Sequence, residues 1–304
     1  MSDLPASVRL ETGRGGLPVL RVNGPLARAE IYLHGATVTD WTPRGRQQML
    51  WVSSASRFTA DAPIRGGVPI CFPWFGARAG HPESPSHGFA RRSDWVVVDA
   101  RDEGDEVIVR LRLTDRDAAG ASAWAHPFEA VYTVVVGSRL TLALTVTNHG
   151  SDDLSFEEAL HTYLGVSDIR ATEVTGLEGA AFCDSLAGPE VLPAENTPVR
   201  FGAETDRVYP GTTATTTVHD TGAGRSVVIA KAGSATTVVW NPWVDKAAAL
   251  ADLADDEWKR LLCVETGNLR DAAIRLAPGQ SHTMTATFEL SPLAKDPTQK
   301  NPTS

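Results

Sequence analysis

The sequence predicts an all-β protein, a large antiparallel sandwich or barrel. Three observations carry this. Apolar residues recur with a period of two along much of the chain. Gly, Asp, Asn and Pro separate the alternating runs at short intervals. Only one segment has a convincingly helical composition. A doubly wound fold would interleave its strands with helices of about 10–15 residues, and no such interleaving is present.

The elements follow in order. "VIVRLRLTD" sets Val107, Val109, Leu111 and Leu113 on one face. "AVYTVVV" is a second strand, and Gly137-Ser138 reads as a tight hairpin turn into a third, "RLTLALTVTN". In that strand Leu140, Leu142, Leu144 and Val146 oppose Thr141, Thr145 and Thr147. The turn "DTGAG" leads into "RSVVIAKAG", and "TTVVWNP" and "HTMTATFEL" add further strands. The helical segment is Asp245 to Leu262, rich in Ala and Leu, as one helix or as two short ones broken near Asp255. No fixed-period repeat and no Pro/Ser-rich linker divides the chain, so one domain over residues 6–291 is expected. The polar, proline-containing tail 292–304 is expected to be disordered.

Composition narrows the function. The chain has 304 residues, 42% of them apolar, enough for a sizeable core. Lys and Arg total 28 against 37 Asp and Glu, a net charge of -9, which makes nucleic acid a poor partner. A small anion is still admissible, because the mean field is screened beyond about 8 Å and one Arg–phosphate contact contributes about 1.5–3 kcal/mol. Cys71, Cys183 and Cys263 are odd in number, far apart and outside CxxC pairs, against a disulfide framework or a cysteine zinc site. The N-terminal "MSDLPASVRL" shows no signal-peptide pattern, and no run approaches the 18 or so apolar residues of a membrane span. A soluble cytoplasmic protein is the expectation, with a monomer as the default.

Four clusters are candidates for chemistry. In "IRGGVPICFPWFGARAGHPESPSHGFAR", Arg65, His87 and Arg91 lie among glycines and aromatics. Gly66-Gly67 permits close backbone approach, and the guanidinium fork suits phosphate or carboxylate. The alternative is a structural loop whose arginines pair with surface acids. "EEALHTYLGV" reads as a strand with Glu157, Ala159, His161 and Tyr163 on one side, where a histidine serves equally as a hydrogen-bonded core residue. In "LLCVETGN", Glu265 stands at the end of an apolar strand, where burial is costly and raises a carboxyl pKa toward a general base. An arginine partner would account for it equally. In "ETDRVYP", Asp206 is a weak candidate acceptor of sugar hydroxyls. His81 and His87 form no metal-ligand set, and the nucleophile-elbow, P-loop and dinucleotide-binding motifs are absent.

Taken in order, "IRGGVPICFPWFG", "HGFAR", "ALHTYLGVSDI", "TDRVY", "VVWNPW" and "CVETGN" resemble the aldose 1-epimerase superfamily, and more closely its glucose-6-phosphate 1-epimerase (hexose-6-phosphate mutarotase) branch. These pieces span residues 64–268. The resemblance implies a galactose-mutarotase-like antiparallel β-super-sandwich with its site in an open groove. It implies that His161 and Glu265 act at the anomeric centre, with Glu265 as base toward O1–H and His161 as acid toward the ring oxygen. Arg65 and Arg91 would bind phosphate, and His87 and Asp206 would contact sugar hydroxyls or the ring. No cofactor is implied, and the partner is a small-molecule hexose phosphate. Trp240 would shape the groove wall. Trp74 occupies a position where members vary and leaves the sugar preference there open. Strand alternation sends Arg91 and Arg92 to opposite sides, and Arg91 is favoured for the phosphate. A mutarotase of free sugars and a non-catalytic sugar-phosphate binder are the competing readings; a mere binder needs neither an acid nor a base. A glycosidase would need two carboxylates flanking the bond.

Overall fold

Alternation becomes register in a nine-stranded antiparallel sheet. Phe128–Val136 and Arg139–Asn148 pair across the turn Gly137-Ser138. Glu106–Thr114 and Val96–Glu103 extend the ladder on one side. Ser281–Pro292, Arg225–Ala232, Thr216–Asp220, Thr172–Thr175 and Val199–Arg200 extend it on the other. Val107, Val109, Leu111 and Leu113 are buried, as are Leu140, Leu142, Leu144 and Val146, while the residues between Leu140 and Val146 are half-buried. A one-residue slip would expose either row, so burial of one face fixes the pairing. The computed structural model describes residues 4–118, 120–121, 124–188 and 190–293.

A second large sheet has eight strands. Its order is Val191–Leu192, Phe182–Asp184, Thr205–Pro210, Thr236–Asn241, Leu261–Asn268, Glu158–Leu160 and Ile70–Cys71, with Tyr163–Gly165 also paired to Leu261–Asn268. A four-stranded meander runs Val8–Thr12, Pro18–Asn23, Ala27–Tyr32 and Val38–Pro43. Trp41, Leu142 and Leu262 belong to one continuous apolar core, so side chains of the three larger sheets meet there. No helix among the described residues is long and apolar enough to cross a membrane.

The structure corrects three local expectations. Asp245–Leu262 takes the second of its two expected forms, two short helices with Asp255 in the break, but with other bounds: the α-helix is Trp243–Ala249 and a 3-10 turn follows at Glu257–Arg260. The Glu257 carboxylate pins that turn by accepting from Ser53 Oγ at 2.6 Å and Ser54 N at 2.9 Å. Leu261 and Leu262 pair with Gly165 and Leu164, so sheet pairing overrides helix propensity. The strand expected over Glu157–Val166 breaks at His161-Thr162, where His161 N donates to Pro69 O at 3.0 Å. Glu265 stands inside its strand and not at the end, because the ladder runs on to Asn268. Ser281–Pro292 reaches one residue into the expected tail, and residues 294–304 lie outside the described residues.

The glycine pair beside Arg65 fits tightly. Gly67 has φ +66°, and a Cβ there would stand 2.2 Å from Val38 O. Gly45 has φ +71° with open space around it. Gly67→Ala should therefore cost about 1–3 kcal/mol more than Gly45→Ala in urea unfolding, since only it adds a collision to the left-handed strain.

Candidate active site

Strand register builds one wall of a cavity of about 370 Å³. In an antiparallel ladder, directly opposed residues share a face. Asp206 opposes Trp240, which opposes Cys263; two residues along, on the same face, Val208 opposes Val238, which opposes Glu265. Asp206, Val238, Trp240 and Glu265 thus line the cavity from one sheet face. His161 joins them from the break in its strand. Its Nδ1 lies 3.5 Å from Glu265 Oε1. Neither His161 Nδ1 nor Glu265 Oε2 has a hydrogen-bond partner, although both side chains are almost fully buried.

The rest of the lining includes residues of the segment from Arg65 to Arg91. Arg65 is fixed at its backbone by Ser53 N→Arg65 O at 3.0 Å and Arg65 N→Ser56 Oγ at 2.8 Å. Its guanidinium donates to Tyr163 Oη at 3.0 Å and pairs with Asp252 at 3.1 Å. Arg91 donates from Nη2 to Ser86 O at 2.8 Å. The Nε–H groups of both arginines are buried without a partner. His87 has φ +62°, its backbone N donates to Gly76 O at 2.7 Å, and its Nδ1 accepts from Gly76 N at 3.3 Å. That bond makes Nδ1 the acceptor and leaves the proton on Nε2. The His87 and His161 rings stand edge to face, 5.7 Å between centroids.

The electrostatics oppose charge on both central groups. Burial pushes the Glu265 carboxyl well above the usual range; Asp206 adds to this, and Arg91 partly offsets it. Burial holds His161 well below the usual imidazole range, with His87, Arg91 and Arg65 acting in the same direction. His87 is lowered to about 3 by burial and by the two arginines. In the free protein the His161–Glu265 contact is therefore not a formed ion pair: each group is held toward its neutral form, at a distance longer than a good hydrogen bond. Burial also raises Asp206. Among the described residues, no group of three or more His, Cys, Asp or Glu is placed to hold a metal ion.

Comparison with known proteins places this geometry. The family model for aldose 1-epimerase matches residues 18–289. The chain belongs to the aldose 1-epimerase family. A protein of Cenchrus ciliaris named a putative glucose-6-phosphate 1-epimerase is 34% identical over 268 residues, 83% of this chain and 78% of that one. An Escherichia coli K12 protein of the same name is 32% identical over 250 residues, 82% and 83% of the two chains. The crystal structure of a putative mutarotase from Salmonella typhimurium superposes with a TM-score of 0.87 at 28% identity, covering 96% of each chain. A galactose mutarotase-like protein from Clostridium acetobutylicum, at 14% identity, shares the fold with a TM-score of 0.70 over 96% of this chain and 100% of that one. The expected galactose-mutarotase-like β-sandwich is thus the observed fold, and family membership makes the chain an isomerase.

In this family member all six residues singled out from the sequence, Arg65, His87, Arg91, His161, Asp206 and Glu265, line one cavity, with Trp240 beside them. Arg91 lines the cavity and Arg92 does not, but not through strand alternation. Ala90–Arg92 is a 3-10 turn, not a strand, and it sends Arg92 away to donate to Asp61 O at 2.7 Å. Trp74 is buried and donates to Pro85 O, and its neighbour Phe75 lines the cavity. Sequence reasoning missed Lys246 and Leu250, which reach the cavity from the Trp243–Ala249 helix and its C-cap. The one available signal was a Lys on the only helical segment.

A carboxyl whose pKa is raised by folding weakens the fold as pH rises. Below the unfolded-state pKa both states hold the proton and there is no penalty. Above it the unfolded chain ionises first, and stability falls until the folded-state pKa is passed. Glu265→Gln should therefore be more stable than wild type at pH 8, by about 1–3 kcal/mol, with the gain shrinking toward pH 4.5. Urea unfolding at the two pH values measures this; a gain independent of pH would contradict the raised pKa.

Proposed function

We propose that this chain interconverts the α and β anomers of a hexose 6-phosphate by acid–base ring opening and reclosure. The observation that carries the reading is the cavity's division of labour. A carboxyl and an imidazole meet at 3.5 Å, and two arginines with unpartnered buried Nε–H groups line the same cavity, with Lys246 as a further cation. A sugar phosphate brings about -1.5 to -2 charge at neutral pH, and a fixed guanidinium fork recognises it. The names of the relatives point to the same substrate class.

Ring opening moves two protons. Glu265 takes the proton of the C1 hydroxyl, C1=O1 forms as the C1–O5 bond breaks, and His161 delivers a proton to O5. Rotation about C1–C2 presents the other face of the aldehyde, and the reverse transfers close the ring. Ring opening draws on the ionised fraction of Glu265, which the raised pKa makes small but a stronger base than an exposed glutamate. Burial lowers His161 most, and Arg65 and Arg91 add to it; a phosphate dianion docked on them offsets their share and raises its proton affinity in part. His87, with its proton on Nε2, donates to a sugar oxygen, and Asp206 accepts from a hydroxyl. Binding at the phosphate orients C1 against the acid and the base.

Exchange NMR at anomeric equilibrium, with glucose 6-phosphate and glucose compared side by side, tests the reading. Glu265→Gln should slow catalysed exchange by about 10²–10⁴-fold. Arg65→Ala should raise KM for the phosphate ester far more than for the free sugar. Equal effects on both sugars would remove the phosphate assignment and leave a free-sugar mutarotase.

A further inference from the structure

Catalytic histidines are ordinarily oriented by a hydrogen bond at the ring nitrogen away from the substrate. His161 lacks one. Its Nδ1 is buried and unpartnered, and the Glu265 oxygen at 3.5 Å is too distant to fix the ring. What holds the imidazole plane is aromatic packing. Tyr163 stacks on it with centroids 4.7 Å apart and planes 7° from parallel, and Trp240 meets it edge-on at 6.1 Å. Tyr163 is itself fully buried and is clamped by Trp51, stacked at 5.8 Å, and by Trp240, edge-on at 6.2 Å.

The far end of the same ring carries the second contact. Tyr163 Oη accepts from Arg65 Nη1 at 3.0 Å. Among the described residues, Arg65 otherwise pairs only with Asp252 and keeps its Nε–H unpartnered. One rigid phenol therefore touches the cavity's cation through its oxygen and the imidazole through its face. Tyr163 does not line the cavity, so it acts on substrate only through these two neighbours.

We propose that Tyr163 is a positioning residue that couples occupation of Arg65 by a phosphate to the orientation of His161, so that the phosphate raises turnover as well as binding. The proposal rests on the phosphate reading of the cavity. When Arg65 turns toward an anion, the phenol bonded to it moves, and the stacked imidazole moves with the phenol. Displacements well under 1 Å suffice, since a misplacement of about 1 Å at a reacting group costs about 10²-fold.

Two substitutions separate the contacts. Tyr163→Phe keeps the stack and removes the link to Arg65; Tyr163→Leu removes both. With Tyr163→Phe, kcat for glucose 6-phosphate should fall about tenfold while KM and free-glucose turnover change by less than about threefold. Tyr163→Leu should lower kcat for both sugars. A second readout needs no turnover: titration with inorganic phosphate should shift the His161 imidazole NMR resonances in wild type, and by less than about half as much in Tyr163→Phe. Equal losses for both sugars in Tyr163→Phe, or the same His161 shift in both proteins, would overturn the coupling. If wild type itself treats the two sugars alike, the phosphate reading fails and the coupling with it. If wild type prefers the phosphate and Tyr163→Phe keeps that preference, the phosphate reading stands and the coupling falls.

Discussion

The strand Leu261–Asn268 is the constraint on which the cavity depends. All eight of its residues are buried. Thr236–Asn241 pairs with it along one edge; Tyr163–Gly165 and Glu158–Leu160 divide the other. A residue in such a strand has no freedom to turn away. Glu265 must present its carboxyl to the cavity, and desolvation there holds the proton. The same ladder explains the break at His161. Two short strands can share one long partner only if the chain between them bends, and the imidazole sits at that bend, opposite the carboxyl.

The arginine lining answers a different problem. An acidic chain has to attract an anion, and it does so locally. Arg65 and Arg91 come from one loop-rich segment and converge without full neutralisation: Arg91 bonds a neutral carbonyl, and Arg65 divides its guanidinium between the Asp252 carboxylate and the Tyr163 phenol. Unpartnered guanidinium N–H groups are costly in a buried place and gain most from a ligand that satisfies them. The strain that favours substrate binding is therefore of the same kind as that which primes Glu265. Both are polar groups held dry and incomplete by surrounding backbone.

How far the sequence carried the reading follows from burial. The nine-stranded sheet was legible because one face is core and the other is wetter, so Leu140–Val146 and Val107–Leu113 alternate cleanly. The eight-stranded sheet was less so. Leu261–Asn268 is buried on both faces and carries no alternation, and several partners are only two or three residues long. The six candidate side chains were legible by resemblance. Their convergence was not, because it depends on register between strands distant in sequence. Phe75 lines the cavity unannounced because a turn-rich loop obeys no period. Lys246, Leu250 and Asp252 reach the site through docking of the segment after Asn241, which no local pattern announces.

The central claim is one of direction: phosphate at the arginines, anomeric carbon at His161 and Glu265. A crystal structure with 1,5-anhydroglucitol 6-phosphate, which lacks the C1 hydroxyl and cannot open, tests it most directly. The account expects the phosphate on Arg65 and Arg91, the ring oxygen facing His161, and C1 beside Glu265. A phosphate seated at Lys246 with both arginines unengaged, or a ring whose C1 points away from Glu265, would contradict it.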